Sequence, residues 1–313
     1  MAATQQRVPV AILDDYQGVA LSSADWSALK DRVDIDVYSD TLHDEDALIR
    51  RLEKYEIICA MRERTKFDRA LLDRLPKLRL IATTGSVNRG IDTEYAAEKG
   101  IVVSGTAFRG ASTVEHIWAL ILAAAREIPR EHAHIRAGNP QWQTMVPFGL
   151  YGKTLGLVGL GRLGSRVAEI ARVFGMRVLA WSPHLTADRA RELGVEFVET
   201  KRALFAGSDV VSVHMVLADA THGLVGAEDL AAMKRTAIFV NTSRGPLVDE
   251  AALVEVLKRG DIRCAALDVY DVEPLPLDHP LRRLDNVVLS PHNGYVNDTS
   301  YEVRRSTATQ SDA

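Results

Sequence analysis

Thr154-Leu155-Gly156-Leu157-Val158-Gly159-Leu160-Gly161-Arg162-Leu163-Gly164 is the stretch whose reading decides the fold. It begins as a short apolar run and breaks into three glycines spaced Gly-x-Gly-x-x-Gly. Val167, Ile170, Ala171 and Phe174 then recur at helical spacing, so the glycines sit where a buried strand turns into a helix. That position gives each one a task. Gly159 allows the tight turn, Gly161 lets the backbone approach a pyrophosphate, and Gly164 lets helix and strand pack closely. The unpaired amides and positive dipole end of the helix then face the phosphates. An unplaced glycine triplet is an ordinary turn about as often as a nucleotide loop, but here both flanks supply the required context.

Outward from this turn, strands alternate with helices in both directions. Downstream, residues 177–181, 209–214, 237–241, 264–269 and 286–290 read as strands, with helices near 187–193, 201–205, 228–233 and 250–259. A βαβ series opened by a glycine turn is the doubly wound arrangement, with ligands at the carboxyl ends of the strands. Upstream, strand-like runs at 8–13, 35–38, 57–61, 78–83 and 101–104 alternate with helical candidates at 23–30 and 44–52, which argues for a second parallel sheet. Between the two series, residues 113–126 form the strongest helical pattern, with Ser112 or Thr113 as cap and Val114, Ile117, Trp118, Ile121 and Leu122 inward. Residues 136–152 are loop-rich. The expected organisation is a first domain over 1–104, a dinucleotide-binding domain over 105–290, and a curtailed return segment over 291–313.

At 313 residues the chain is long enough for two domains with sizeable cores. A net charge of -4 gives no general attraction for nucleic acid or an anionic membrane, so neither is expected as a partner. Cys59 and Cys264 lie in apolar, strand-like runs and read as reduced buried thiols. The first ten residues lack the pattern of a secretory signal, and the longest apolar run, 117–125, is too short to cross a bilayer. A cytoplasmic setting is the default expectation, and no motif suggests a catalytic metal.

Three polar residues fall just beyond strand ends in the glycine-turn domain: Arg244, Glu273 and His292. Each alone has a dull explanation, as a solvated loop cation, a turn residue before proline and one histidine among nine. Together they supply a cation for an anionic substrate, an orienting carboxylate and a proton donor, which beside a dinucleotide describes hydride transfer.

The chain resembles the D-isomer-specific 2-hydroxyacid dehydrogenases. Four ordered stretches carry the likeness: residues 152–164, Val240-Asn241-Thr242-Ser243-Arg244-Gly245-Pro246-Leu247-Val248-Asp249, Ala266-Leu267-Asp268-Val269-Tyr270 with Glu273-Pro274, and Leu289-Ser290-Pro291-His292. Weaker similarity extends over nearly all of the chain from Val8. The resemblance implies an α/β fold of two Rossmann-like or flavodoxin-like domains with parallel sheets, the active site in the cleft between them. It also implies reversible reduction of a small 2-keto acid to the D-2-hydroxy acid with NAD or NADP, and a homodimer. By that resemblance His292 is the acid/base, Glu273 the carboxylate that stabilises its protonated ring, and Arg244 the guanidinium that holds the substrate carboxylate. Arg162 and Leu163 match backbone donors to the pyrophosphate, Thr242 lies beside the dinucleotide, and Asp268 matches a carboxylate near the nicotinamide. Arg62, with Ser86 and Val87, corresponds to the first-domain loops that meet the substrate carboxylate, although Val87 and Asn88 replace a more glycine-rich form.

Two departures stand out. The acidic residue expected about 20 residues after the glycines, which would bind the adenosine ribose, is Ser182. A serine carries no charge to repel a 2′-phosphate, so dual or NADP-leaning use is expected, with His184 and Arg189 the nearest basic side chains. The chain also ends in a polar tail where the family continues into a long helix. The rival reading, from a different functional class, is a dinucleotide-sensing regulator of the same fold with little or no turnover.

Overall fold

The computed structural model describes residues 7–106 and 111–298. They fall into two compact units, one of residues 7–106 with 296–298 and one of residues 111–295. In the first, β1 (Val8–Ile12), β2 (Val33–Val37), β3 (Ile57–Ala60), β4 (Leu80–Thr83) and β5 (Val102–Gly105) form a sheet of order β2-β1-β3-β4-β5. All its pairings are parallel. Its helices are α1 (Glu45–Leu52), α2 (Arg69–Asp73) and α3 (Thr93–Glu98). Each starts on an aspartate whose carboxylate accepts a first-turn amide: Asp44 from Ala47, Asp68 from Leu71 and Asp92 from Tyr95. The core gathers Ile58, Leu72, Ile81, Tyr55 and Phe67.

The helix expected at 23–30 is not there; only a short 3-10 turn forms, over Ser27–Leu29. The physical reason is local. The Asp25 carboxylate accepts the Ser27 amide at 2.9 Å and the Ser22 hydroxyl bonds the Val19 carbonyl at 3.0 Å, contacts that compete with a helical ladder.

The second unit opens with α4 (Ala111–Ala125) and α5 (Ile128–Arg136), then alternates β6 (Thr154–Val158), α6 (Arg162–Val173), β7 (Arg177–Trp181), α7 (Ala187–Glu192), β8 (Glu196–Phe197), α8 (Lys201–Gly207) and β9 (Val210–Val213). It continues through α9 (Ala227–Ala231), β10 (Ile238–Asn241), α10 (Glu250–Arg259), β11 (Cys264–Leu267) and β12 (Val287–Leu289). The sheet order is β12-β11-β10-β9-β6-β7-β8, parallel throughout. Every residue of β6, β9, β10 and β11 is buried, which is why these strands read as mostly apolar runs, broken only by Thr154, Ser212 and Asn241 among polar residues.

Helix α4 turns Val114, Ile117, Trp118, Ile121 and Ala125 into one face of this core. Internal packing therefore accounts for its apolar stripe. Several exposed large apolar side chains lie along α5 and the segment after it, Ile128, Ile135, Trp142, Val146 and Tyr151, with others, such as Val173, Val216 and Leu277, scattered over the unit. Helix α5 and the two-residue β8 were not anticipated. Among the described residues no helix is long and apolar enough to cross a membrane. Cys59 and Cys264 are free thiols, and burial pushes them up to about 11 and about 12. The expected curtailed return over 291–313 lies largely outside the described residues.

Candidate active site

In the second unit the chain order reverses between β6 and β9, and a crevice opens at such a switch point beyond the strand ends. Gly159 follows β6 there and His214 follows β9, its amide donating to the Val158 carbonyl at 2.8 Å. A Cβ on Gly159 would lie 2.7 Å from the His214 carbonyl oxygen, and one on Gly164 would lie 2.3 Å from the Gly159 oxygen. Packing within the protein thus requires both glycines. Gly161 differs: a Cβ there would meet nothing within 4 Å. It caps α6 without offering a side-chain acceptor, so the first amides of the helix, from Arg162 and Leu163 onward, point at an uncontested position.

The lining matches a nucleotide. Both ring nitrogens of His214 and the Thr242 hydroxyl are shut off from solvent and bond to nothing in the protein. Burial pushes the His214 imidazole down to about 4, so it is neutral at ordinary pH. Although part of the residue is exposed, the charge would sit on the buried nitrogens, so desolvation governs. These residues fit a bound dinucleotide. Ser182 sits immediately beyond β7, with Leu185 donating to its carbonyl at 3.2 Å. Of the nearby cations, Arg189 is paired with Glu192 at 2.9 Å, and His184 is exposed.

Beyond β11 and β12 lies a histidine–carboxylate pair. The Nδ1 of His292 is 2.6 Å from Oε2 of Glu273, and both side chains are mostly buried. Oε1 of Glu273 accepts the Tyr270 amide at 3.0 Å, which fixes the carboxylate. With Nδ1 committed, Nε2 is the ring atom left for a substrate. His292 has a positive φ of 55°, a conformation a side chain other than glycine adopts only where its surroundings impose it. The Tyr295 ring stands edge-on to the imidazole, 5.6 Å between centroids.

Asp268, fully buried, faces four protein donors. His116 Nε2 lies at 3.0 Å, the Ser290 hydroxyl at 2.6 Å, the Asn293 amide at 2.8 Å and the Gly294 amide at 2.9 Å. Burial opposes its charge, yet these hydrogen bonds outweigh it and hold the carboxyl below the usual range. Arg244 lies beyond β10 in a turn whose Asn241 side chain donates to the Arg244 carbonyl at 2.9 Å, and Arg244 Nη1 donates to the Ser243 carbonyl. The turn abuts the segment leading to Glu273. A Cβ on Gly245 would sit 2.1 Å from the Tyr270 carbonyl carbon and 2.5 Å from the Asp271 nitrogen.

Arg62, Ser86 and Val87 belong to the first unit, just beyond β3 and β4. Arg62 has φ 52°, its amide donates to the Thr84 hydroxyl at 3.1 Å, and its guanidinium packs where a side chain on Gly85 would stand. Val87 is 64% exposed, open to a ligand rather than part of the core. Asn88 is buried as a clamp, donating to the Arg62 carbonyl and the Thr83 hydroxyl, which explains an asparagine at this loop. Asp14, at the end of β1, accepts from Thr41 and Thr65.

Several residues of this arrangement were not singled out from sequence. His214 closes a strand at the ligand end of the sheet, a position that could have marked it. His116 lies on the border of the α4 apolar stripe, where a histidine passes as a surface residue. Gly245 and Ser290 gave no signal apart from adjoining Arg244 and His292.

The chain is similar to proteins of related chemistry. Residues 118–294 match the model of the D-isomer specific 2-hydroxyacid dehydrogenase, NAD binding domain. A D-3-phosphoglycerate dehydrogenase of Methanocaldococcus jannaschii is 39% identical over 251 residues, covering 80% of this chain and 48% of that protein. The chain therefore spans about half the length of the phosphoglycerate dehydrogenases it matches first. A glyoxylate reductase of Korarchaeum cryptofilum is 38% identical over 272 residues, 85% of this chain and 81% of the relative. Among solved structures, a phosphoglycerate oxidoreductase from Vibrio cholerae superposes with a TM-score of 0.89 at 40% identity, covering 96% of each chain. With its family-specific NAD-binding domain matched over more than half its length and relatives of this similarity, the chain belongs to the D-isomer specific 2-hydroxyacid dehydrogenase family.

Proposed function

We propose that this protein is an NAD(P)-dependent oxidoreductase interconverting a small 2-keto acid and the D-2-hydroxy acid. The observation that carries the reading is the His292–Glu273 pair at 2.6 Å, with Nε2 of the imidazole uncommitted. The dinucleotide, held by the α6 amino terminus and flanked by His214 and Thr242, would supply the hydride. His292 gives a proton from Nε2 to the keto oxygen during reduction and takes it back from the hydroxyl during oxidation. Glu273 accepts the hydrogen bond from Nδ1 and fixes the ring's orientation. Arg244 binds the substrate carboxylate, a planar fork meeting a planar anion, and Arg62 with Ser86 and Val87 selects among acids. Ser182 leaves the ribose position uncharged, so both NADH and NADPH serve. Two copies pair through the apolar side chains exposed along α5 and residues 142–151.

The test is to follow oxidation of reduced cofactor with glyoxylate, hydroxypyruvate, pyruvate and bulkier 2-keto acids, for wild type and His292→Ala. Turnover with at least one acid, falling 100- to 10,000-fold in the variant while cofactor binding stays near normal, is the expected result. A variant keeping more than a tenth of wild-type turnover would remove His292 from this role. A hundredfold preference for NADH would defeat the dual-cofactor reading, and a monomer by light scattering would defeat the pairing.

A further inference from the structure

We infer that His116, on α4, is a positioning residue for the catalytic turn, acting through Asp268. The inference rests on reading His292 as the acid, but its geometry stands on its own. Nε2 of His116 lies 3.0 Å from Asp268 Oδ1 and 3.0 Å from Ser290 Oγ. The single hydroxyl proton of Ser290 is already given to Asp268 Oδ1 at 2.6 Å. Toward His116 both partners are therefore acceptors, so Nε2 carries a proton and forks it between them.

Asp268 in turn receives the amides of Asn293 and Gly294, the two residues that follow His292. The left-handed backbone of His292 is thus pinned on both sides, by Glu273 at its side chain and by Asp268 at the next two amides. Gly294 shows how tight the far side is. A Cβ there would lie 3.0 Å from Asp268 Oδ2, 3.5 Å from His116 Cδ2 and 3.7 Å from Thr113 Cγ2, so α4 itself forms a wall of the turn. Without the His116 proton the buried Asp268 oxygen loses a donor, its carboxylate is held less firmly, and the turn it anchors loosens.

The experiment compares wild type, His116→Leu and His116→Gln by residue-resolved hydrogen exchange and by steady-state kinetics on the full chain. Leucine keeps apolar volume without a donor, and glutamine restores an N–H at similar reach. In His116→Leu the Asn293 and Gly294 amides should exchange at least tenfold faster while the amides of β6 and β10 keep their protection. The kcat for keto-acid reduction should fall about tenfold, with the KM for the acid and the Kd for NADH within twofold. Glutamine should restore both readouts to within about threefold. Unchanged exchange at the two amides overturns the inference, and so does equal acceleration throughout the unit, which marks a merely structural side chain. If wild type turns over no 2-keto acid, the dehydrogenase reading fails and exchange alone decides for or against positioning. If His116→Leu does not fold, His116→Asn, one bond too short to reach Asp268, replaces it. Protection in the glutamine but not the asparagine variant supports the role, and equal protection refutes it.

Discussion

Replacing His214 by leucine should erase a large part of the acid sensitivity of this protein. The ring nitrogens have neither solvent nor a protein partner, and burial holds the imidazole down at about 4, against an ordinary value of 6.5. The sign follows from linkage. As pH falls below about 6.5 the unfolded chain takes a proton that the folded chain refuses, so stability present above 6.5 is lost progressively until about 4, where the folded ring also titrates and the loss stops. Each pH unit across that window is worth about 1.4 kcal/mol, so the full loss is roughly 3 kcal/mol. Urea unfolding of the full chain followed by tryptophan fluorescence between pH 7.5 and 4, as the difference between wild type and His214→Leu, isolates the term, because other titrating groups cancel. The variant should gain steadily on wild type over the window. Parallel curves would show that the imidazole is protonated in the folded state or finds a partner, and would remove the argument that a neutral, unpartnered ring lines the nucleotide position.

Three further perturbations follow from the packing. Gly245→Ala would drive a methyl to within 2.2 Å of the Tyr270 carbonyl oxygen. The segment holding Glu273 must then shift by about 1 Å, for which a hundredfold loss in kcat/KM is expected, with cofactor affinity retained; kinetics near wild type would mean the turn adjusts freely. In the first unit, burial raises the Asp14 carboxyl above its ordinary value against the opposing hydrogen bonds of Thr41 and Thr65. Its charge therefore costs stability at neutral pH, a cost that fades as pH falls through the raised folded value. Asp14→Asn, in a left-handed position that asparagine tolerates, should raise the melting temperature at pH 8 and lose its advantage toward pH 4; a lower melting temperature at pH 8 would refute this. Cys264, buried and held as a neutral thiol, should resist a thiol reagent at pH 8 in the native state and react on unfolding, whereas rapid native labelling would contradict its burial.

Much of the architecture was legible because it rests on signals that are local and repetitive. The fully buried strands β6, β9, β10 and β11 are mostly apolar runs, and the turn at 159–164 carries its own glycines. Short helices were not legible: α2 and α3, five and six residues long, are defined by an aspartate cap and a single turn, too little for a periodicity to appear. The region 23–30 misled for the opposite reason, since its spacing suits a helix while Ser22 and Asp25 spend their oxygens on the backbone. His292, Glu273 and Arg244 could be read as a set because each follows a strand. His116 could not, because its meaning comes from Asp268 and Ser290, 152 and 174 residues away in sequence. Sequence spacing carries no record of such a meeting.

The imidazole, its carboxylate partner, the guanidinium and the glycine turn are all supplied by one uninterrupted stretch, whereas Arg62, Ser86 and Val87 come from another unit. On the function proposed above, the chemistry and the choice of acid are thereby carried by separate units. Under that proposal, substitutions in the first hundred residues would change which acid is accepted and leave the residues assigned to proton transfer where they are.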